Sequence, residues 1–289
     1  MGDIEIDLYG DWVKYLRNEL SGFGYSDIPS NNEAVVHTYL NLVRRLIQPI
    51  PRKVLKSSEF ACPPQYQQGL ADVERQISQG RDLKPYLSKK LTNSRYNDHF
   101  LNDWGIHHLH LGRTLEPDGR FMVRSDPVLC CRFEKAVAYF IQVISHGEWA
   151  KQELVAILHR NWPESIKQFR LKNVTGMAVK LTDQDIRCLR RKNVNTVVDI
   201  GNGVMYGQIG GGFTASGISV DVVMKADYYK MKFQQMQTDV IDNIADIARA
   251  GKAKGVFLPN TPQFRLAMKG NQVFAVEVNC RLEVFLESL

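Results

Sequence analysis

Residues 127–145, PVLCCRFEKAVAYFIQVIS, decide the fold. Two runs rich in β-branched and aromatic residues, Pro127–Phe133 and Ala136–Ser145, stand on either side of Glu134-Lys135. That gap is the length of a tight hairpin, although it lacks the Asn-Gly pair such turns favour. Upstream, Ile106–Leu111 (IHHLHL) follows Gly105 and alternates with a period of two, which predicts a strand. Downstream, Trp149–His159 turns Leu154, Ile157 and Leu158 inward as a helix, and Trp162-Pro163 ends it. The centre of the chain reads as strand, hairpin, helix.

The first hundred residues read as helical. Asp7–Leu20 spaces Leu8, Trp12, Leu16 and Leu20 at helical intervals. A second helix starts at Ser30–Asn32 and runs to Gln48, where Pro49 and Pro51 stop it. A third begins at Pro63-Pro64 and ends at Gly80, and a shorter piece covers Pro85–Leu91. Beyond Arg170–Thr175, Thr182–Asp185 forms a capping-box-like start for a short basic helix. Thr196–Ile200 and Val204–Ile209 make a hairpin across Gly201-Asn202-Gly203, a long helix lies within Val220–Gly251, and Phe264–Met268, Val273–Asn279 and Leu282–Leu286 supply strands. The class is therefore α+β. Three consecutive parts are expected: a helical N-terminal region (1–104), a small antiparallel β domain with a helix (105–172) and a mixed α/β C-terminal domain (173–289).

Hydrophobic residues make up 44% of the 289 and charged residues 24%, which excludes disordered and collagen-like classes. No apolar run reaches the ~18–20 residues of a membrane span, so no membrane partner is expected. The opening MGDIEIDLYGDW is acidic and unlike a signal peptide. The five cysteines (Cys62, Cys130, Cys131, Cys188, Cys280) show no Cys-x-x-Cys spacing, so reduced thiols and a cytoplasmic location are expected. A net charge of +6 permits a polyanionic partner without requiring one.

Chemistry concentrates in Asp98–Gly112, which carries four of the seven histidines. Strand alternation puts His108 and His110 on one face and His107, Leu109 and Leu111 on the other. The apolar neighbours of His107 suggest that its face is buried and that the His108–His110 pair points outward or into a cleft. His-x-His on a strand can present two imidazoles to zinc, with a third ligand from His146 or Asp103, although no third-ligand spacing stands out. Metal-free RNA cleavage needs a base for the 2′-OH, an acid for the leaving oxygen and a cation for the phosphorane charge. His110 ends the first strand, Arg132 lies on the second and His146 ends the third, with Glu148 and His159 close behind. The candidate catalytic set is His108, His110, Arg132, His146 and Glu148, with no metal or cofactor.

Each of these features also has a purely structural reading. The histidines can hydrogen-bond backbone and acids such as Asp98 and Asp103, and Trp104, Trp149 and Trp162 can be packing residues. Arg187, Arg190, Arg191 and Lys192 could grip phosphate, but a solvated helix end is favoured. Gly210-Gly211-Gly212-Phe-Thr-Ala215 matches the G-x-G-x-x-A dinucleotide turn. It follows a hairpin arm, with no acid about 20 residues on, so a flexible loop is expected. Arg95 and His99 have three residues between them, which misses the Arg-x4–6-His spacing of HEPN ribonucleases.

On IHHLHLG, then PVLCCRFEKAVAYFIQVISHG, then a helix, residues 106–160 resemble the RelE-like ribonuclease toxins. The resemblance implies a small antiparallel sheet whose His, Arg, Lys, Glu or Tyr residues cut mRNA. It covers under a fifth of the chain, and that family is small and usually places its helices before the sheet. The function expected is a cytoplasmic ribonuclease-like effector of the toxin or phage-defence type. Its partners would be RNA and an antitoxin or other regulatory protein. The alternatives are a non-enzymatic module that binds protein or nucleic acid and has structural histidines, and a zinc-dependent hydrolase.

Overall fold

A computed structural model of the chain describes residues 3–174 and 176–288. Helix accounts for 41% and strand for 18%, with the strands in separate small sheets, which is an α+β fold.

β1 (Glu5–Ile6) leads into α1 (Leu8–Phe23), which starts where the Asp7 carboxylate accepts the Gly10 amide and stops at left-handed Gly24. α2 (Asn32–Arg45) ends ahead of Pro49, and β2 (Lys53–Lys56) follows. α3 (Gln67–Ser78) is entered through a 3₁₀ turn at Pro64–Tyr66. The piece expected over 85–91 forms two separate 3₁₀ turns, Lys84–Tyr86 and Lys89–Thr92. α4 (His99–Trp104) is capped by the Asp98 carboxylate and closed by left-handed Gly105. β3 (His107–His110), β4 (Val128–Phe133), β5 (Val137–Ile144) and α5 (Glu153–Asn161) are the expected strand, hairpin and helix. A short α6 (Pro163–Ile166) follows. α7 (Asp183–Arg191) carries a full capping box between Thr182 and Asp185, and β6 (Val198–Asp199) pairs with β7 (Met205–Tyr206). The stretch expected as one helix divides at Asn243 into α8 (Val220–Asp242) and α9 (Ile244–Ala253). β8 (Gln263–Lys269), β9 (Gln272–Glu277) and β10 (Glu283–Ser288) complete the chain. Among the described residues no helix is long and apolar enough to cross a membrane.

The chain divides into two compact units, with boundaries inside α2 and α8. One gathers the N-terminal residues up to Leu40 with those from Met224 on, and the other is Asn41–Val223. The three consecutive parts expected from the sequence do not coincide with them. In the first unit β1 pairs in parallel with β8, and the sheet runs β1-β8-β9-β10. Trp12 of α1 packs on Tyr229 and Phe233 of α8, with ring centroids 5.2 and 4.9 Å away. These contacts tie the two ends of the chain into one body.

The second unit is built on the sheet β2-β5-β4-β3. β3, β4 and β5 pair antiparallel in sequence order, and β2 adds to β5 in parallel. Val128, Cys130, Ile141 and Ile144 pack with Leu154, Ile157 and Leu158 of α5. Ile186 of α7, Val198 and Tyr206 join the same core. Gly210 N–H donates to Asp103 O and Gly212 N–H to Asn102 O, both at 2.8 Å, covering carbonyls at the end of α4. A Cβ on Gly210 would lie 2.2 Å from Leu101 O. The glycine run is thus a close backbone packing contact rather than the flexible loop expected.

Candidate functional site

The register of the second sheet gathers the histidines. His108 lies opposite Cys130, and His110 opposite Val128, which in turn lies opposite Ile144. His146 follows one pleat beyond Ile144, so it reaches the same end of the sheet as His110. Their rings stack with centroids 6.1 Å apart, and the His108 ring is 6.3 Å from that of His110. Trp149 packs against both His108 (4.6 Å) and His146 (5.0 Å).

The alternation expected for 106–111 holds, and of the two placements expected for the His108–His110 pair, outward or into a cleft, His108 takes the second and neither ring faces outward. His108 is 8% exposed and His110 2%, because the sheet is covered on that face too. His107, on the other face, meets Phe133 edge-on at 5.5 Å, and both of its ring nitrogens are buried.

A cavity of about 430 Å³ opens on this cluster. His99, His108 and His146 contribute to its walls, with the aromatic rings of Tyr96, Phe100 and Trp149. His110 sits behind His108 and His146 without lining it. The charged lining is strongly one-sided: Lys90, Arg124, Arg187, Arg190 and Arg191 against Asp98 alone. Asp98 is already engaged in capping α4 through the Leu101 amide. A site with this balance attracts anions.

Hydrogen bonds fix the histidine rings. His110 Nδ1 lies 3.3 Å from both the N–H and the carbonyl oxygen of Ser125, accepting from the one or donating to the other according to its tautomer. Neither His110 Nε2 nor His108 Nδ1 has a partner among the described residues. Arg124 donates to His146 Nε2 at 2.8 Å, and the His146 amide donates to Asp126 at 2.7 Å. Burial lowers the pKa of each ring. His107 and His110 are both pushed down to about 4 by burial. His108 is lowered by burial and then by His146. Burial and then Arg124 lower His146, and burial and then Arg190 lower His99.

These shifts make stability depend on pH. Unfolded imidazoles titrate near 6.5, whereas folded His107 and His110 stay neutral to about 4. Between those values the unfolded chain binds more protons, so stability is complete above about 6.5 and is lost as pH falls toward 4. The urea midpoint is expected to drop through that window, and His110→Gln to make the drop shallower. A flat midpoint there would show that these rings accept protons without unfolding.

One wall of the cavity is held from a distance. Arg190 of α7 is buried and donates Nε and Nη2 to Asp103 Oδ2 at 3.0 and 2.7 Å, with its guanidinium over the Trp104 ring at 4.5 Å. Its Nη1 donates to Trp149 O. Arg187 donates to Gly147 O at 3.0 Å, and Gln152 reaches Asp183 and Leu181 O. The loop carrying His146 and Trp149 is thus laced to α7 along its length.

Of the sequence candidates, His108, His110 and His146 come together, and two others do not join them. Arg132 lies four residues along β4 from Val128, roughly 13 Å at strand rise. There it donates to Ser165 O, with its guanidinium near the Phe169 ring. Glu148 pairs with Lys151 and does not line the cavity, although its neighbours Gly147 and Trp149 do. His159 bonds the Tyr206 hydroxyl instead. The acids expected to hold the histidines are otherwise engaged, Asp103 with Arg190 and Asp98 with the α4 cap. Arg187, Arg190 and Arg191, favoured as a solvated helix end, line the cavity. Arg124 and Tyr96 come from segments without a sequence pattern, and Lys90 from the short piece over Pro85–Leu91, where nothing in the sequence marks it as a site residue.

Among the described residues no group of three or more His, Cys, Asp or Glu is placed to hold a metal ion. His146 Nε2 faces Arg124. The chain matches no known family model, no curated protein and no solved structure.

Proposed function

We propose that the chain is a metal-independent ribonuclease acting through His108, His146 and Arg124, in keeping with an RNA-cutting effector of the toxin or phage-defence type. One observation carries this reading: His108 and His146, backed by His110, line a cavity whose charged lining is almost entirely cationic. His108, neutral at the cavity wall, takes the proton of a ribose 2′-OH as that oxygen attacks phosphorus. The P–O5′ bond breaks, and His146 gives its proton to the departing 5′-oxygen. The bound phosphodiester, an anion, raises the pKa of His146 and draws Arg124 from the ring onto the phosphorane oxygens. The products are a 2′,3′-cyclic phosphate and a 5′-hydroxyl.

His110 gives the main competing reading, since its bond to the Ser125 backbone is also what a structural histidine makes. In that case the cavity binds an anion without turnover. The test is incubation of the purified full chain with labelled RNA in excess EDTA, with the fragment ends identified. Cyclic-phosphate ends formed at an undiminished rate support the ribonuclease. Intact RNA, or cleavage that EDTA abolishes, sinks it.

A further inference from the structure

Resting on that reading of the site, we infer that the substrate is single-stranded RNA, presented as one unpaired nucleotide turned into the cavity while the flanking phosphates run over a cationic rim. Burial is the first reason. His108 and His110 are 8% and 2% exposed, so a phosphodiester reaches them only by leaving the surface. A duplex holds its phosphates on a rigid cylinder with the bases stacked inside and cannot deliver one nucleotide inward without extruding it.

Size is the second. About 430 Å³ lies toward the low end of the ~300–1,000 Å³ of small-ligand sites, room for a nucleotide and not for a stacked pair. The third is the division of labour in the lining. Lys90, Arg124, Arg187 and Arg191 are all exposed at the mouth and come from three separate stretches of chain, whereas Phe100 is buried and Tyr96 and Trp149 are half-buried. Exposed cations that follow a backbone, with aromatic faces below to take a base, are how unpaired strands are held.

The test uses the full chain and a labelled 2′-fluoro strand, which lacks the attacking hydroxyl, alone and annealed to its complement. The single strand is expected to bind at least about tenfold tighter. With four rim cations engaged, its affinity should fall about 50-fold between about 50 and 200 mM salt, and only about 7-fold in the Lys90→Ala/Arg191→Ala variant. Equal or tighter duplex binding overturns the inference, as does binding of neither. Single-strand binding by a protein that leaves ordinary RNA intact would uphold the ligand class and remove the ribonuclease. Cleavage of duplex as fast as single strand would do the reverse.

Discussion

On the proposed ribonuclease reading, replacing His108 with alanine is expected to lower the rate of RNA cleavage by about 10²–10⁴-fold, the range a positioned proton acceptor contributes. The effect should fall on kcat and not on KM, because the exposed cations proposed to hold phosphate are untouched. Burial of the ring at 8% exposure limits the ability of bulk water to take over its role. His146→Ala is expected to cost a similar factor. The double variant should lose far less than the product of the two, since both act in one step. Glu148→Gln serves as the control: its carboxylate faces Lys151, so the rate stays within about twofold. Full activity in His108→Ala, with the fold intact by circular dichroism, would remove the acid–base assignment.

The largest expected loss of stability comes from Asp103→Ala. Asp103 and Arg190 have side chains only 1% and 7% exposed, and the carboxylate receives two of the arginine's N–H groups. Without it a guanidinium remains buried against Trp104 with no counter-charge, which costs about 3–5 kcal/mol. The fall would appear as a lower urea midpoint at neutral pH. Removing both charges in Asp103→Ala/Arg190→Met should recover much of it, because the penalty lies in the uncompensated ion and not in the missing bond. A single variant within about 1 kcal/mol of the parent would mean that solvent reaches Arg190. The double variant also unlaces Trp149, so RNA cleavage should stay impaired even where stability returns.

What could be read from the sequence follows the range of the interactions involved. The β4–β5 hairpin is a local event written in two apolar runs and a two-residue gap, and it formed as expected. β2 is four residues whose partner, β5, begins more than eighty positions later, and nothing local encodes that pairing. β1 is two residues paired with β8 at the other end of the chain, which is why consecutive parts failed to describe the two units. α4, at six residues, is too short to show a helical period. At the site, alternation grouped His108 with His110, and strand order brought His146 beside them. Arg132 was placed by sheet face alone, and its distance along β4 decided against it. Arg190 looked like an ordinary cation at a helix end. Its burial depends on an acid 87 positions away.

The way α4 is finished bears on when the cavity forms during synthesis. Six residues cannot hold a helix alone, and its last carbonyls are covered by the amides of Gly210 and Gly212. His99 and Phe100, which wall the cavity, sit on that helix. During synthesis the histidine strand and the hairpin leave the ribosome well before the glycines that lock α4. A nascent chain therefore carries His108, Arg124 and His146 while the cavity they line is still unmade.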